Sequence, residues 1–155
     1  MAEMSIYKRT ERETFELGRA LSQLLRPGDV VTLEGQLGVG KTVFARGMAT
    51  GLGVQEPVTS PTFTIIKEYQ GVIPFYHMDA YRLEHSEEDI GFDEYFNDEA
   101  ISVVEWAQYI EEYLPDERLD IQIEYVNQDE RKFDFYSKSD RLQSVIKSLT
   151  DKESR

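Results

Sequence analysis

One short segment limits what this chain can fold into: Gly35-x-x-x-x-Gly40-Lys41-Thr42 matches the Walker A pattern. In that pattern a loop joins a buried strand to a helix, and backbone N–H groups surround phosphate at the start of the helix. The neighbouring sequence has the same order, because a β-branched run, residues 30–34, precedes the segment and a helix-compatible run follows it as far as Gly53. The pattern therefore predicts a strand–loop–helix unit that binds the phosphates of a nucleotide.

The residue types in this segment suit that task. Glycines permit backbone conformations and close approaches that a Cβ atom would block, Lys41 supplies a positive charge, and the Thr42 hydroxyl is a ligand for Mg²⁺. We therefore predict that the nucleotide is contacted by Gly35, Gly38, Val39, Gly40, Lys41, Thr42 and Val43.

Two carboxylates are candidates for the chemistry next to a bound Mg-nucleotide. Residues 73–79 and 101–105 are both apolar runs that end in one acid, Asp79 and Glu105 respectively. A sheet would deliver such strand-terminal acids beside the phosphate-binding loop. Each acid would otherwise serve only to cap a helix. With the Walker A match in the same chain, we predict that both belong to the site.

The remaining pattern predicts alternating helices and strands. A capping box at Thr10–Glu13 predicts a helix as the first element, residues 62–69 and 72–78 form a predicted hairpin, and Ser86 is a predicted helix start with short helix and loop over 91–98. Residues 100–106 are a predicted strand that leads into a helix ended by Pro115.

The last part of the chain also alternates. Residues 119–125 and 133–135 have the period of strands, and Leu142, Val145, Ile146 and Leu149 have the spacing of one helix face. We find no linker or repeat. The expected architecture is therefore one α/β domain over residues 1–155, a P-loop NTPase-like fold in which helices flank a mixed central sheet.

Two further features have more than one interpretation. Residues 59–64 place four hydroxyls around a proline, which is typical of a nucleotide-sensing switch loop and equally of a Ser/Thr-rich turn. His77 lies on an apolar strand and is expected to be a core residue with a hydrogen-bond partner, and His85 is expected on the surface. Neither histidine belongs to a metal-binding pattern.

Composition narrows the setting and the partners. The chain has no cysteine, no export signal and no apolar run of membrane-spanning length, so we expect a cytoplasmic protein with no membrane association. A net charge of -13, from 30 acidic and 17 basic residues, disfavours direct binding of nucleic acid. Acidic clusters at residues 84–99 and 111–112 are either solvated surface or a docking face for a basic protein.

Four motifs resemble, in the same order along the chain, those of the bacterial TsaE family, which is also called YjeE or YdiB. The first of the four is the Walker A segment. The others are Thr59–Thr64, His77–Leu83 and Val104–Trp106, and the resemblance covers nearly the whole chain. One departure is Gln36, where the family often has Asp; this side chain is not needed to surround phosphate.

The resemblance implies a function and several residue roles. TsaE proteins are small ATPases needed for threonylcarbamoyladenosine modification of tRNA, and they work with TsaD and TsaB. By that resemblance Lys41 contacts phosphate, Thr42 and Glu105 hold Mg²⁺, and Asp79 is a further acid required to hydrolyse ATP. It also implies that Thr10 and Arg131 border the ATP or ADP and that Trp106 lies near it.

Two other functional classes use the same segment. A small-molecule or nucleotide kinase would need lid arginines to enclose an acceptor, yet Arg82 is the only arginine between Arg46 and Arg118. A binding module would hold nucleotide without hydrolysing it. Lys41, Thr42 and the two placed acids favour hydrolysis, and the partner-dependent ATPase is the preferred hypothesis.

Overall fold

The computed structural model describes residues 4–36, 40–58, 66–81, 92–96 and 99–153. Within these ranges the strands are β1 (Met4–Lys8), β2 (Val30–Gly35), β3 (Ile66–Tyr69), β4 (Phe75–Asp79), β5 (Ile101–Glu105), β6 (Leu119–Tyr125) and β7 (Arg131–Ser137). The α-helices are α1 (Glu11–Ser22), α2 (Lys41–Gly51), α3 (Phe92–Phe96) and α4 (Asp140–Glu153), and a 3₁₀ helix spans Ala107–Tyr113. No helix of the described ranges is both long and apolar enough to cross a membrane.

The strands form one mixed sheet of seven, in the order β1-β7-β6-β2-β5-β4-β3. Its centre is parallel, because β2 pairs in parallel with β5 and β6, and β4 pairs in parallel with β5. Both edges are antiparallel, through β1 with β7 and β3 with β4. The expected α/β fold with a mixed central sheet is therefore confirmed. The parallel strands β2, β4 and β5 finish side by side, at the edge of the sheet that is formed by their carboxyl ends.

Each face of the sheet has its own apolar cluster. The larger cluster joins the sheet to α1, α2 and α4 through side chains such as Leu21, Phe44, Phe133 and Ile146. The smaller lies on the other face, where Val30, Met78 and Val104 pack with side chains of the 3₁₀ helix. All four apolar residues that predicted the face of α4 are buried, as the helical spacing required.

Helix α1 begins where the capping box predicts. The Thr10 hydroxyl accepts a hydrogen bond of 3.0 Å from the Glu13 N–H, and the Glu13 carboxylate accepts one of 3.0 Å from the Arg9 N–H. These bonds satisfy donors that the first helical turn leaves free. Thr10 is therefore fixed at the entrance to the helix.

Helices α1 and α2 approach each other through glycines. A Cβ atom at Gly18 would lie 2.2 Å from the Phe44 carbonyl oxygen, and one at Gly47 would lie 2.0 Å from the Phe15 carbonyl oxygen. Real side chains cannot make such contacts with backbone atoms. The two helices therefore pack backbone to backbone, with no side chain between them at these positions.

The structure corrects three details of the sequence-based prediction. The first element is β1 and not a helix, because residues 4–8 pair with the distant β7. β4 begins at Phe75 and not at residue 72, since residues 71–73 form a bend. The predicted helix after β5 is a 3₁₀ helix that is kinked at Ile110, where φ is -130° and ψ is 26°. The predicted helix start at Ser86 and the His85 position lie outside the described residues.

Candidate nucleotide-binding site

The Walker A segment joins the buried strand β2 to α2, as the sequence predicts. Gly40 is the N-cap of α2 and has a φ of 116°, a left-handed conformation that favours glycine. Its carbonyl oxygen accepts a hydrogen bond of 3.0 Å from the Phe44 N–H. Lys41 and Thr42 follow in the first turn. Gly38, Val39 and the loop of residues 59–64 lie outside the described ranges.

Lys41 is held below the surface at the start of α2. Its side chain is 6% exposed, and Nζ donates a hydrogen bond of 2.9 Å to the Gly35 carbonyl oxygen. The ammonium group also lies 4.7 Å from the centre of the Trp106 ring and 3.9 Å from Glu105 Oε1. A buried cation is costly unless paired, so these contacts keep the charge in place beside the segment.

The two predicted acids lie side by side at the same edge of the sheet. Asp79 ends β4, Glu105 ends β5, and the two residues are register partners in this parallel pair. Glu105 also pairs in register with Leu33 of β2, two residues before Gly35. The structure thus brings Glu105 and Asp79 to the end of the strand that leads into the Walker A segment.

Asp79 and Glu105 differ in their surroundings. The Asp79 carboxylate accepts a hydrogen bond of 2.9 Å from the Tyr81 N–H. Burial, and less strongly the nearby Glu105 charge, nevertheless raises the pKa of Asp79 above its usual value. The Tyr81 bond, His77 and Lys41 oppose that rise. Glu105 is 5% exposed, and its Oε2 lies 2.6 Å from His77 Nε2.

A cleft of about 820 Å³ lies on one side of α2. It is lined by Thr10 and Thr14 of the α1 entrance, by Gly40 and Val43, and by Arg131 with the preceding turn. The Arg131 guanidinium lies 4.1 Å from the centre of the Tyr125 ring. Thr10 and Arg131, which the sequence places far apart, therefore face one cleft together with the N-cap of α2.

A second cleft of about 580 Å³ borders the Walker A segment itself. Its lining includes Gly35, Gln36, Lys41 and Trp106. Trp106 has φ of 57°, the only positive φ of a non-glycine residue among those described, and its ring stacks 6.1 Å from Tyr109. The Tyr81 ring lies 4.9 Å from Trp106 and is half-exposed, so the ring that lines the cleft beside Lys41 packs against two tyrosines.

The oxygen donors at this edge are compatible with Mg²⁺. Glu105 and Asp79 supply carboxylates, and Thr42 supplies a hydroxyl in the first turn of α2. Mg²⁺ in nucleotide sites takes one or two carboxylates and completes its shell with phosphate oxygens and water. Within the described ranges, no group of three His, Cys, Asp or Glu side chains would hold a metal ion alone. These residues fit a metal that arrives together with phosphate.

Two contributions were not predicted from the sequence. His77 was expected in the core, and it is fully buried, but its direct contact with Glu105 was not foreseen. The available signal was its position two residues before Asp79, which puts both side chains on one face of β4. The packing of Tyr81 and Tyr109 against Trp106 was also missed, because those residues come from different elements.

Together, the fold and this edge define an α/β protein in which a Walker A segment links the central strand to a helix, with a buried lysine and two acids beside it. Residues 8–133 match the family model described as threonylcarbamoyl adenosine biosynthesis protein TsaE. The chain belongs to the TsaE family.

Similar proteins cover most of the chain. The tRNA threonylcarbamoyladenosine biosynthesis protein TsaE of Bacillus subtilis is 50% identical over 139 residues, which are 89% of this chain and 88% of that protein. The Treponema pallidum protein of the same name is 42% identical over 115 residues, 73% of this chain and 85% of its own. The crystal structure of Bacillus subtilis YdiB superposes with a TM-score of 0.85 at 41% identity, covering 97% of this chain and 95% of that one.

Proposed function

We propose that this protein binds Mg-ATP, hydrolyses it slowly, and supports N6-threonylcarbamoyladenosine modification of tRNA by acting on a complex of TsaD and TsaB. Membership of the TsaE family supports the role in tRNA modification. The main support for ATPase activity is that Lys41, Glu105 and Asp79 lie close together at the end of β2, at the Walker A segment.

The two clefts suggest how the nucleotide lies. The base and ribose of ATP or ADP would occupy the cleft between Thr10 and Arg131, which borders Gly40 and Val43. The phosphates would follow the Walker A segment, where N–H groups at the start of α2 attract anions. Lys41 would exchange its bond to the Gly35 carbonyl for the terminal phosphates, and Trp106 would lie next to them.

Hydrolysis needs few groups beyond positioned charges. Bound Mg²⁺ would neutralise charge on the phosphate oxygens. Thr42 and Glu105 would hold that ion, and we assign Asp79 to orient the attacking water. Burial, and to a smaller extent the nearby Glu105 charge, raises the pKa of Asp79, which makes it a better proton acceptor than an ordinary aspartate.

The partner is proposed to be a protein and not tRNA itself. A net charge of -13 opposes contact with a phosphate backbone, since affinity for nucleic acid comes mainly from neutralised phosphates. An acidic face, for which residues 84–99 are the candidate, would dock on a basic surface of the TsaD–TsaB complex. Most of those residues lie outside the described ranges. Such docking should weaken as salt rises, because exposed charges are screened within about 8 Å at physiological ionic strength.

ATPase turnover tests the proposal directly. It should be slow for the protein alone, faster with the TsaD–TsaB pair, and absent in both cases for Lys41→Ala, which removes the charge that complements the terminal phosphates. Rapid phosphorylation of a small acceptor without TsaD–TsaB would instead establish the kinase alternative. Micromolar affinity for free tRNA at physiological salt would contradict the indirect route to tRNA.

A further inference from the structure

His77 is a buried residue to which the proposed function assigns no role. It lies in β4 two residues before Asp79, is fully buried, and packs 6.3 Å from the Phe75 ring. Its Nε2 atom is 2.6 Å from Glu105 Oε2, a short hydrogen bond between two buried side chains. Both partners of this bond are therefore shielded from solvent.

The two oxygens of Glu105 have different partners. Oε2 contacts His77, and Oε1 lies 3.9 Å from Lys41 Nζ, at the Walker A segment. A buried carboxylate oxygen without a hydrogen bond is costly, so the bond to His77 selects one orientation of the group. In that orientation Oε1 faces the phosphate-binding segment.

The hydrogen bonding of His77 also identifies its donor atom. Nδ1 has no hydrogen-bond partner among the described residues. A carboxylate oxygen can only accept a hydrogen bond, so the hydrogen in the contact with Glu105 belongs to the imidazole. Nε2 therefore carries the hydrogen and donates it to Glu105 Oε2.

We propose that His77 is a positioning residue for the metal site: its Nε2–H fixes Glu105 Oε2, so that Oε1 is held ready to bind Mg²⁺ with the nucleotide. This inference rests on the proposed function, which supplies the Mg-nucleotide. It is also distinct from simple core packing, in which His77 would only fill space and satisfy a buried carboxylate. Groups that orient metal ligands in this way commonly contribute 10–100-fold in metal affinity, about the range expected here.

Three substitutions separate positioning from packing. His77→Leu fills similar space without a donor, His77→Gln keeps an amide nitrogen at a reach close to that of Nε2, and His77→Asn keeps the amide but is one methylene shorter. Val103→Ala is the matched control, because Val103 is the register partner of His77 on β5 and is fully buried. It loses packing at the same level of the sheet without removing the His77–Glu105 bond.

The readout is the affinity for ADP by calorimetric titration, with Mg²⁺ and again with EDTA. We expect the gain that Mg²⁺ gives to ADP affinity to fall about tenfold in His77→Leu and His77→Asn, with the EDTA affinity unchanged. His77→Gln should keep most of the gain, and Val103→Ala should keep all of it while unfolding at a lower temperature. If His77→Leu does not fold, His77→Asn against His77→Gln gives the same comparison.

Several results would overturn the inference. These are an unchanged Mg²⁺ gain in His77→Leu and His77→Asn, an equal loss with EDTA, or the same loss of the gain in Val103→Ala. Failure of the proposed function looks different, because wild-type protein would then show no Mg-dependent affinity for ADP. The wild-type titration therefore separates the two.

Discussion

The backbone contact between α1 and α2 predicts a large effect from one methyl group. In Gly47→Ala the new Cβ would lie 2.0 Å from the Phe15 carbonyl oxygen and 2.9 Å from its carbonyl carbon. Ordinary contacts of this kind are about 3.5 Å, so the helices must separate locally by roughly 1.5 Å. Neither atom belongs to a flexible side chain that could move aside.

The cost of that separation exceeds the gain in helix propensity. Replacing Gly by Ala inside a helix gains about 1 kcal/mol, whereas overpacking a tight contact costs roughly 1–3 kcal/mol, and backbone contacts belong at the upper end. The net loss is therefore about 2 kcal/mol. For a chain of this length it corresponds to a fall in the melting temperature of about 4–8 °C.

Thermal and denaturant unfolding followed by circular dichroism measure this loss. Thr50→Ala is the control, because Thr50 is an exposed residue of the same helix and should change stability by no more than about 0.5 kcal/mol. A Gly47→Ala protein as stable as wild type, or more stable, would refute the packing argument.

Three further predictions concern the site. Thr42→Ala should weaken ADP binding in Mg²⁺ much more than in EDTA, by about tenfold, since only a metal ligand is lost; equal losses by calorimetry would contradict the assignment. Asp79→Asn should lower the turnover of ATP more than its affinity. It should also raise the melting temperature of the free protein at pH 7. The pKa of Asp79 is higher in the folded protein than in the unfolded chain, so stability falls as the pH rises from the unfolded pKa to the folded pKa and stays lower at higher pH. An unchanged melting temperature would show that the ionised carboxylate costs no stability. Trp106, the only tryptophan, should report saturation with ADP as a change in fluorescence, and a silent signal would place it away from the nucleotide.

Elements with a strong local pattern were predictable from the sequence. The Thr10 cap predicted the start of α1, and the spacing of Leu142 and Ile146 predicted the buried face of α4, because caps and helical periodicity are set by near neighbours. β1 was missed for the opposite reason. Its five residues are stabilised by pairing with β7, a partner that no local pattern identifies.

For the candidate site, the sequence predicted which strands end beside the Walker A segment. An apolar run ending in one acid predicted that Asp79 and Glu105 lie beside the Walker A segment, and the parallel pairing of β4 with β5 brings the two acids together. The sequence does not specify the path of individual hydrogen bonds. That His77 contacts Glu105 and not some core carbonyl depends on the register of two strands and on rotamers, which only the packed sheet determines.

The pairing of β1 with β7 has a consequence for how the protein folds. Lys8 lies opposite Arg131 in this pair, and the Ser5 hydroxyl bonds to Asp134 across 129 residues of chain. Contacts between such distant segments carry a high loop-closure entropy and tend to form late. Thr10 lies two residues beyond Lys8, and Arg131 is the last residue of this pair, so the two would come together only after most of the chain has folded. A nascent chain on the ribosome would then complete its Walker A helix well before the cleft beside it exists.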